Sequence, residues 1–331
     1  MNLSNQSVLV IGGAGYIGSH VVLALCEKGY NVTVFDNLST GQEINIDSRA
    51  VLIKGDIINN NELKSAFNQN YDAVLHFAPL KAAGESMLHP GEYATANITG
   101  TINILNQMIE RKVQNIIFSS TAAVYGIPEY LPIDEDHTLN PINFYGFTKC
   151  EIERILHWYS KLKGICYATL RYFNAAGYDL NGRIQGLEKN PVNLLPIVME
   201  TALGKRASLN VFGNNYNTPD GTGIRDYIHV TDLAIAHIAS LEYLINKQNN
   251  LTLNLASGEG YSVLDVIKKT EKITGKKILF KIVDRRAGDP SKLVAVSKYA
   301  KNKINWSCAY SDIETILHSM WNVYNSNCVV N

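Results

Sequence analysis

Short apolar runs alternate with helix-length amphipathic segments in the first half of the chain, and this alternation restricts the fold more than any other feature. Most runs are unbroken stretches of aliphatic or β-branched residues, which is typical of strands buried on both faces of a parallel sheet. The pattern predicts an α/β fold built on a Rossmann-type doubly wound parallel sheet. The runs are 8–11, 32–35, 51–53, 73–77, 116–119 and 166–170, and the helical patterns include 17–28, 98–111 and 146–161.

The local amino-acid composition of the chain changes after about residue 176. Glycine, asparagine, proline and aspartate cluster at 177–191 and 213–223, which marks loops. A helical pattern at 231–246 and an apolar run at 251–256 predict a helix and a strand that return to the first sheet. We therefore expect a first domain of residues 1–176 with a returning segment of about 226–256. Residues 177–225 and 257–331 would form a second, smaller mixed α/β domain.

Composition excludes several classes of protein. Lys plus Arg equals Asp plus Glu at 30 each, so no overall charge attracts nucleic acid or an anionic membrane. The N-terminus lacks the pattern of a signal peptide, and no run reaches the roughly 18 apolar residues of a membrane span. Five scattered cysteines without a CxxC pair argue against a metal site. The expectation is a soluble cytoplasmic protein.

A glycine-rich turn, VLVIGGAGYIGSH, supplies the first chemical signal. Gly12, Gly15 and Gly18 follow a predicted strand and open a predicted helix, so backbone N–H groups can approach a pyrophosphate. Asp36 ends the next strand, 21 residues after Gly15, where a carboxylate binds the ribose hydroxyls. No Arg or Lys lies within ten residues after Asp36, which favours NAD over NADP. Asp56, after the third strand, is either a contact to the adenine end or a capping residue.

Tyr145 and Lys149 form the second signal, since residues four apart share a face of a helix. The spacing alone is weak because Tyr159 with Lys163 and two other pairs match it. Position separates them, for Tyr145 opens a helix shortly after a predicted strand that ends in the hydroxyls of FSST. Thr121 in that strand would be either a substrate contact or a backbone cap.

The chain resembles the extended short-chain dehydrogenase/reductase family, and within it the enzymes that epimerise UDP-sugars at C4. The stretches that carry the resemblance are GGAGYIGSH, HFAPLKAAGES, FSSTAAVYG, NPINFYGFTK, LRYFNAAG, NLLP, DGTGIRDYIHV and RRAGDP. It implies reversible hydride transfer between sugar C4 and a tightly bound NAD, with a 4-keto sugar that turns over in the site. Pro79 departs from the family's small residue and puts the role of Lys81 in doubt.

The resemblance implies that Tyr145 is the general base on the sugar hydroxyl, oriented by Thr121. A free tyrosine titrates near 10, so ionisation at neutral pH needs about 4 kcal/mol. Lys149 and the oxidised nicotinamide would each supply about 3 kcal/mol. The implied cofactor-binding residues are Gly12, Gly15, Tyr16, Ile17, Gly18, Asp36, Asn37, Asp56, Ile57, Phe77, Ala78, Lys81, Ser119, Tyr145, Lys149 and Tyr172.

The resemblance also implies a substrate site across the cleft. Arg225 and Arg286 would pair with the diphosphate, Phe212 would lie against uracil, and Asp289 would take the uridine ribose. The full set is Lys81, Asn97, Thr121, Tyr145, Phe173, Asn174, Asn193, Leu194, Phe212, Arg225, Arg286, Asp289 and Leu293. Leu293 falls at the wall that decides whether a 2′-N-acetyl group fits.

Two further expectations concern partners and rival functions. Relatives pair through two helices, here 98–111 and 146–161, so a homodimer is expected. A stripe of Ile152, Ile155, Leu156 and Tyr159 would suit that interface or pack on its own sheet. A 4,6-dehydratase needs an acid or base beside Thr121, where this chain has two alanines. A non-catalytic NAD-sensing protein would need no Tyr145, Lys149 and Thr121 together.

Overall fold

The structure is a computed structural model, and it describes residues 6–286 and 288–329. The strands are β1 (Ser7–Ile11), β2 (Asn31–Asp36), β3 (Val51–Lys54), β4 (Ala73–His76), β5 (Asn115–Thr121), β6 (Cys166–Tyr172), β7 (Asn174–Ala176), β8 (Leu209–Phe212), β9 (Ile224–His229), β10 (Leu251–Leu255), β11 (Gly260–Ser262), β12 (Phe280–Val283) and β13 (Lys292–Leu293).

The helices alternate with these strands through the first half of the chain. They are α1 (Tyr16–Glu27), α2 (Asn60–Ala66), α3 (Ala83–Leu88), α4 (Pro90–Tyr93), α5 (Gly100–Glu110), α6 (Phe144–Lys163), α7 (Leu194–Ala202), α8 (Val230–Lys247), α9 (Val263–Thr274), α10 (Lys298–Ile304) and α11 (Ile313–Val329). A π-helical segment (Ala94–Thr99) leads into α5, and short 3-10 turns lie at Glu43–Asn45 and Ala122–Val124.

A seven-stranded sheet in the order β3-β2-β1-β4-β5-β6-β10 forms the centre of the molecule, and every pairing in it is parallel. This confirms the predicted Rossmann-type doubly wound fold, including the return of residues 251–255 to the sheet. β3 differs from the prediction of full burial, because it is an edge strand and Val51 is 61% exposed. An edge strand has a neighbouring strand on one side alone, so the side chains of β3 are less covered than those of the central strands.

Helices cover both faces of this sheet. α1 and α8 pack on one face, with Val21, Leu25 and Leu241 fully buried among the strand side chains. α2, α5 and α6 pack on the other face, where Leu63, Ile104 and Ile152 lie in the core. In sheets of this kind, ligands bind at the carboxyl ends of the strands, in the crevice where the strand order reverses. Here the strand order reverses between β1 and β4.

The second region is smaller and contains two sheets. β9 pairs with β7, β11 and β13, and β8 pairs with β12, while α7, α9 and α11 pack together beside them. Two details differ from the expected boundaries. β7 pairs with β9 in the smaller sheet although it precedes residue 177. α10 packs against β10 and α8, and Trp306 after it donates a hydrogen bond to the Asp232 carbonyl at 2.9 Å.

Helices of membrane-spanning length and hydropathy are absent from the described residues. Across residues 6–286 and 288–329, no three His, Cys, Asp or Glu side chains are grouped to hold a metal ion.

Candidate active site

The turn between β1 and α1 is shaped for close approach of another group. Gly12 has φ of +80°, and a Cβ there would lie 2.6 Å from the Ala78 nitrogen. A Cβ at Gly18 would collide with the Gly12 carbonyl oxygen. α1 begins after Gly15 with neither a capping side chain nor an acidic residue in its first turn. Its backbone N–H groups and positive dipole end therefore remain available to an anion.

Asp36 lies 8% exposed at the carboxyl end of β2, beside that turn. Its carboxylate accepts hydrogen bonds from the Ala14 N–H at 2.9 Å and the Leu38 N–H at 2.8 Å. A carboxylate can accept about four hydrogen bonds, so two positions remain for hydroxyl groups of a ligand. The backbone contacts fix the carboxylate in the orientation that a ribose would meet.

Asn37 and Asp56 contact each other at the edge of the same cleft. The Asn37 amide donates to the Asp56 carboxylate at 2.9 Å, and the Ile58 N–H donates to the other oxygen at 2.9 Å. Asp56 therefore forms a local turn and does not cap a helix, since Asn59 is the N-cap of α2. Ile57 is buried, and its side chain packs where a side chain on Gly100 would otherwise lie.

Three catalytic candidates, Tyr145, Lys149 and Thr121, meet where β5 ends and α6 begins. The Asn143 side chain caps α6 by accepting from the Gly146 N–H at 2.8 Å, and the Tyr145 N–H donates to the Ser86 hydroxyl at 2.9 Å. The Thr121 hydroxyl lies close enough to the Tyr145 phenol to lower the pKa of the phenol. Its oxygen accepts from the Ala123 N–H at 3.1 Å, which is the backbone-cap role, and its contact with a substrate stays a prediction.

Lys149 lies inside the site and is 3% exposed. Its ammonium donates to the Ser119 carbonyl at 2.5 Å, lies over the Phe118 ring at 4.7 Å and is 5.8 Å from the Tyr145 ring centroid. Burial lowers the pKa of Lys149 to about 7, with the Glu153 carboxylate opposing that shift. The charge of Lys149 is therefore easily lost or gained near neutral pH.

Burial raises the pKa of Tyr145 to about 12, and the hydrogen bond from Thr121 acts in the opposite direction. Lys149 by itself therefore does not bring the phenol toward neutrality, and the joint effect of Lys149 and the oxidised nicotinamide stays a prediction. The physical reason is that desolvation penalises the phenolate while the ammonium is engaged by Ser119. The side chains alone hold Tyr145 protonated at pH 7.

Aromatic side chains line the inner wall of the cleft. Phe77 lies against the His237 ring with 4.9 Å between centroids, and the Tyr172 hydroxyl is 2.8 Å from His237 Nε2. The Tyr16 hydroxyl, from the first turn of α1, donates to the Gly177 carbonyl of the second region. Ile17 packs against the core beneath the turn.

Lys81 reaches across the cleft to the second region. Its ammonium lies 2.5 Å from the Glu188 carboxylate, and Pro79 two residues earlier is buried. Lys81 remains half-exposed, so this pair is open to exchange with another anion.

Asn97 does not line the cleft, which corrects the expectation that it approaches the substrate from the first domain. The side chain is fully buried in the π-helical segment. Its amide accepts from the Leu80 N–H at 2.7 Å and donates to the Leu80 carbonyl at 3.2 Å and the Thr148 hydroxyl at 3.0 Å. Asn97 therefore holds the loop that carries Lys81 against α6.

The predicted nucleotide-end residues lie in the second region, but several of them contact each other. The Arg225 guanidinium pairs with the Asp289 carboxylate at 2.5 Å, and the Arg286 guanidinium stacks on the Phe212 ring at 3.9 Å. Arg286 is exposed, whereas Arg225 has 16% of its side chain exposed. The Arg286 guanidinium thus covers a face of the Phe212 ring, and Asp289 occupies the Arg225 fork.

Four other predicted residues lie near β6, β7 and α7. The Asn174 amide donates to the Asp226 carbonyl at 2.8 Å, and Phe173 before it is buried. Asn193 is exposed at the start of α7, where its side chain makes no capping hydrogen bond, and Leu194 follows it. These residues follow β6 or open α7.

Leu293 lies in β13, opposite Arg225 in the parallel pairing with β9. Its side chain is partly buried and packs against a small apolar cluster that includes Phe173, Tyr125 and Ala256. Leu293 is therefore the residue of β13 that lies beside Arg225 in the sheet and also packs against this cluster.

Several contributing residues were absent from the sequence prediction. Ser86 lies in the quoted LKAAGES stretch, yet nothing in its spacing predicts a contact with the Tyr145 N–H. Glu188 lies outside all the motifs quoted from the sequence. Glu153 falls four residues after Lys149, so the same helical spacing that paired Tyr145 with Lys149 was a usable signal.

Comparison with known proteins gives a consistent result. The model of the NAD dependent epimerase/dehydratase family matches residues 8–256. The UDP-glucose 4-epimerase of Halalkalibacterium halodurans is 44% identical over 318 residues, covering 96% of this chain and 95% of the relative.

Solved structures agree with that relationship. A UDP-glucose 4-epimerase from Bifidobacterium longum in complex with NAD+ and UDP is 37% identical, with a TM-score of 0.93 and coverage of 98% and 99%. The UDP-Glc/GlcNAc 4-epimerase of Campylobacter jejuni is 35% identical, with a TM-score of 0.85 and coverage of 97% and 99%. The chain therefore belongs to the NAD dependent epimerase/dehydratase family, in the branch that holds the UDP-glucose 4-epimerases.

Proposed function

We propose that this protein interconverts UDP-glucose and UDP-galactose by reversible hydride transfer at sugar C4, with NAD as a tightly bound cofactor. The observation that carries the proposal is the convergence of Tyr145, Lys149 and Thr121 beside an anion-binding glycine turn. The 44% identity to a UDP-glucose 4-epimerase over 96% of the chain supports it independently.

The residues present fit NAD. The close-approach glycines and the free first turn of α1 would hold the pyrophosphate, and the remaining acceptor positions of Asp36 would hold the ribose hydroxyls. Phe77 and Tyr172 would border the nicotinamide end. When bound, NAD supplies the hydride acceptor and donor for C4.

Tyr145 takes the proton from the sugar 4-hydroxyl in one direction and returns it in the other. Thr121 holds that hydroxyl beside the phenol, and Lys149 stabilises the phenolate and would hold the nicotinamide ribose. Because burial raises the pKa of Tyr145 to about 12, a positive ring charge next to the phenol is needed for its ionisation. Proton removal is thereby coupled to the presence of the oxidised cofactor.

The second region would anchor the nucleotide. Arg225 and Arg286 would contact the diphosphate, Phe212 the uracil and Asp289 the uridine ribose, with Asn174 and Asn193 beside the sugar. Arg225 must then exchange the Asp289 carboxylate for a phosphate oxygen, which a guanidinium fork binds equally well. Firm anchoring of the nucleotide leaves the sugar free to turn over.

We also propose that the protein acts as a homodimer. The stripe of Ile152, Ile155, Leu156 and Tyr159 packs on its own sheet, so it does not supply the interface. Other apolar side chains of α5 and α6 are exposed instead, namely Ile109, Phe147, Trp158 and Leu162. Burial of this second set between two copies would cover an exposed apolar face. A monomeric mass by light scattering at micromolar concentration would count against the dimer.

The compartment proposed is the cytoplasm. The four cysteines whose side chains are described are all unpaired, which suits a reducing environment.

A product analysis tests the proposed reaction. Purified protein incubated with UDP-galactose should form UDP-glucose, and with UDP-glucose it should form UDP-galactose. Formation of a 4-keto-6-deoxy sugar would instead indicate a dehydratase. Ala122 and Ala123, which follow Thr121, carry no group that could move the additional proton of that reaction.

A further inference from the structure

A buried ion pair lies beneath the proposed active site and is not among the groups proposed to react. The Arg171 guanidinium contacts the Glu153 carboxylate through two hydrogen bonds, of 3.1 and 2.6 Å. The two side chains are 6% and 10% exposed. A buried pair of this kind is weak evidence for stability, because desolvation offsets most of the attraction.

The pair is the centre of a hydrogen-bond network that joins several elements. The Ser120 hydroxyl of β5 donates to Glu153 at 2.5 Å, and Arg171 of β6 donates to the Tyr125 hydroxyl at 2.9 Å. Tyr125 donates in turn to the Asn254 side chain of β10 at 2.6 Å. The network therefore connects α6 to three neighbouring strands of the sheet.

Its location coincides with the elements that carry the proposed catalytic groups. Glu153 follows Lys149 by one helical turn and Tyr145 by two, on the same face of α6. Ser120 stands between Ser119, whose carbonyl accepts from the Lys149 ammonium, and Thr121, which lies near the Tyr145 phenol. The Ser120–Glu153 contact thus sets the separation of α6 and β5 next to the reacting groups.

The titratable, polar and aromatic groups around Lys149 come from three elements. Glu153 and Tyr145 lie on α6, the Ser119 carbonyl and Phe118 ring on β5, and His76 on β4. Burial and the Lys149 charge lower the pKa of His76 to about 3, so His76 is neutral at pH 7. Glu153 is the group that opposes the lowering of the Lys149 pKa by burial.

We propose that Glu153 is a positioning residue, which with Arg171 fixes α6 against β5 and supplies the negative charge behind the Lys149 ammonium. This inference rests on the proposed function. Glu153 acts through Lys149 and Tyr145 and touches neither substrate nor cofactor. Arg171 balances the charge of Glu153, so the pair adds no net charge to the core.

Three variants test the inference. Glu153→Gln keeps the size of the side chain and removes its charge, and Glu153→Gln/Arg171→Gln removes both charges so that no buried arginine is left unpaired. Glu151→Gln is the matched control, because Glu151 lies on the same helix and pairs with the exposed Arg154 at 2.6 Å. The readouts are kcat and KM for UDP-galactose across pH, and a crystal structure of each variant.

Glu153→Gln should lower kcat roughly 10–100-fold with little change in KM, since small misplacements of reacting groups have effects of that size. Without the carboxylate the Lys149 pKa falls further. The alkaline limb of the kcat profile should therefore move to lower pH. In the double variant this limb should return toward its wild-type position, while kcat stays low.

The crystal structures give a readout that is independent of turnover. In both variants the Lys149 contact to the Ser119 carbonyl should lengthen or be lost, while Glu151→Gln should retain it. If Glu153→Gln does not fold, the same crystal structure and kcat measurement on the double variant test the inference.

Wild-type kcat in the double variant, or a fall in kcat without a shift of the alkaline limb in Glu153→Gln, would overturn the inference. An unchanged Lys149–Ser119 contact would do so as well. A wild-type protein without epimerase activity would instead reject the proposed function, and the structural readout would still decide the positioning role.

Discussion

The two ends of the proposed cleft are held in different ways. At the cofactor and catalytic end, Asp36 and Lys149 are almost fully buried and bonded to backbone groups of the sheet edge. At the nucleotide end, Arg225 pairs with Asp289 and Arg286 stacks on Phe212, and these side chains are partly or fully exposed. The fold arranges the first end in advance, whereas the second must exchange partners when a ligand binds.

This difference has an energetic consequence. Contacts to fixed backbone groups need little reorganisation, so they are suited to the stabilisation of charge in a reaction. The Arg225–Asp289 pair still reaches solvent, and a diphosphate offers the guanidinium an equivalent anionic partner. Changes at the first end should therefore affect rate or cofactor retention, and changes at the second end should affect affinity.

The largest effect is expected for Tyr145→Phe. Loss of the acid/base group should lower kcat by roughly 10²–10⁴-fold. Affinity for the UDP-sugar should survive, because it comes from the other end of the cleft. Steady-state kinetics and calorimetric titration measure the two quantities. Tyr159→Phe is the control, since Tyr159 shares the spacing but bonds only to Asn106 among the described residues. Full activity of Tyr145→Phe would remove it from the mechanism.

Gly18→Ala tests the prearranged end through its backbone. The new methyl group would meet the Gly12 carbonyl, and overpacking of this kind costs about 1–3 kcal/mol. We expect NAD to be retained roughly 5–150-fold less tightly, the factor to which this cost corresponds. NAD released after denaturation of the purified protein measures the effect. A Cβ at Gly91 has open space around it, so Gly91→Ala should keep wild-type NAD content. Equal NAD content in both variants would contradict the proposed turn geometry.

Arg225→Met should show the opposite signature, at the second end. Loss of charge-assisted hydrogen bonds, at about 1.5–3 kcal/mol, should raise KM for UDP-galactose roughly 10–100-fold with little change in kcat. Arg49→Met, which removes an exposed arginine paired with Asp47, should leave both constants unchanged. A fall in kcat with unchanged KM would place Arg225 in the chemical step and erase the distinction between the two ends.

The smallest effect concerns the choice of sugar. Exclusion of a 2′-N-acetyl group by side-chain bulk is typically worth about 1–3 kcal/mol. Leu293 is intermediate in bulk, so we expect preference for UDP-glucose and UDP-galactose with measurable turnover of their N-acetylated forms. Leu293→Tyr should sharpen the preference and Leu293→Ser should relax it, in competition assays with both substrate pairs. Wild-type protein that converts no N-acetylated sugar, or prefers it, would refute this role of Leu293.

The same contrast between the two ends separates what the sequence could predict from what it could not. The parallel strands, the glycine turn and the place of Asp36 follow from local patterns, because strand, turn and helix lie within one βαβ unit. The Tyr145 and Lys149 spacing identified a shared helix face. The sequence spacing could not show that the two residues lie near Thr121, because that follows from the side-by-side arrangement of β5 and α6.

Long-range contacts account for most of what the sequence missed. The Arg225–Asp289 and Lys81–Glu188 pairs join residues that are far apart in the chain and carry no common pattern. The raised pKa of Tyr145 depends on how completely the phenol is desolvated, which no spacing reveals. Asn97 is the opposite case. The resemblance implied a contact between Asn97 and the substrate, whereas its side chain is fully buried.

The central claim is that the hydride taken from C4 returns to C4 within one turnover. The direct measurement is the amount of NAD bound to purified protein, together with free NADH during steady conversion of UDP-galactose. We expect denatured protein to release close to one NAD per chain and epimerisation to proceed without accumulation of free NADH. Production of free NADH in proportion to turnover would contradict it.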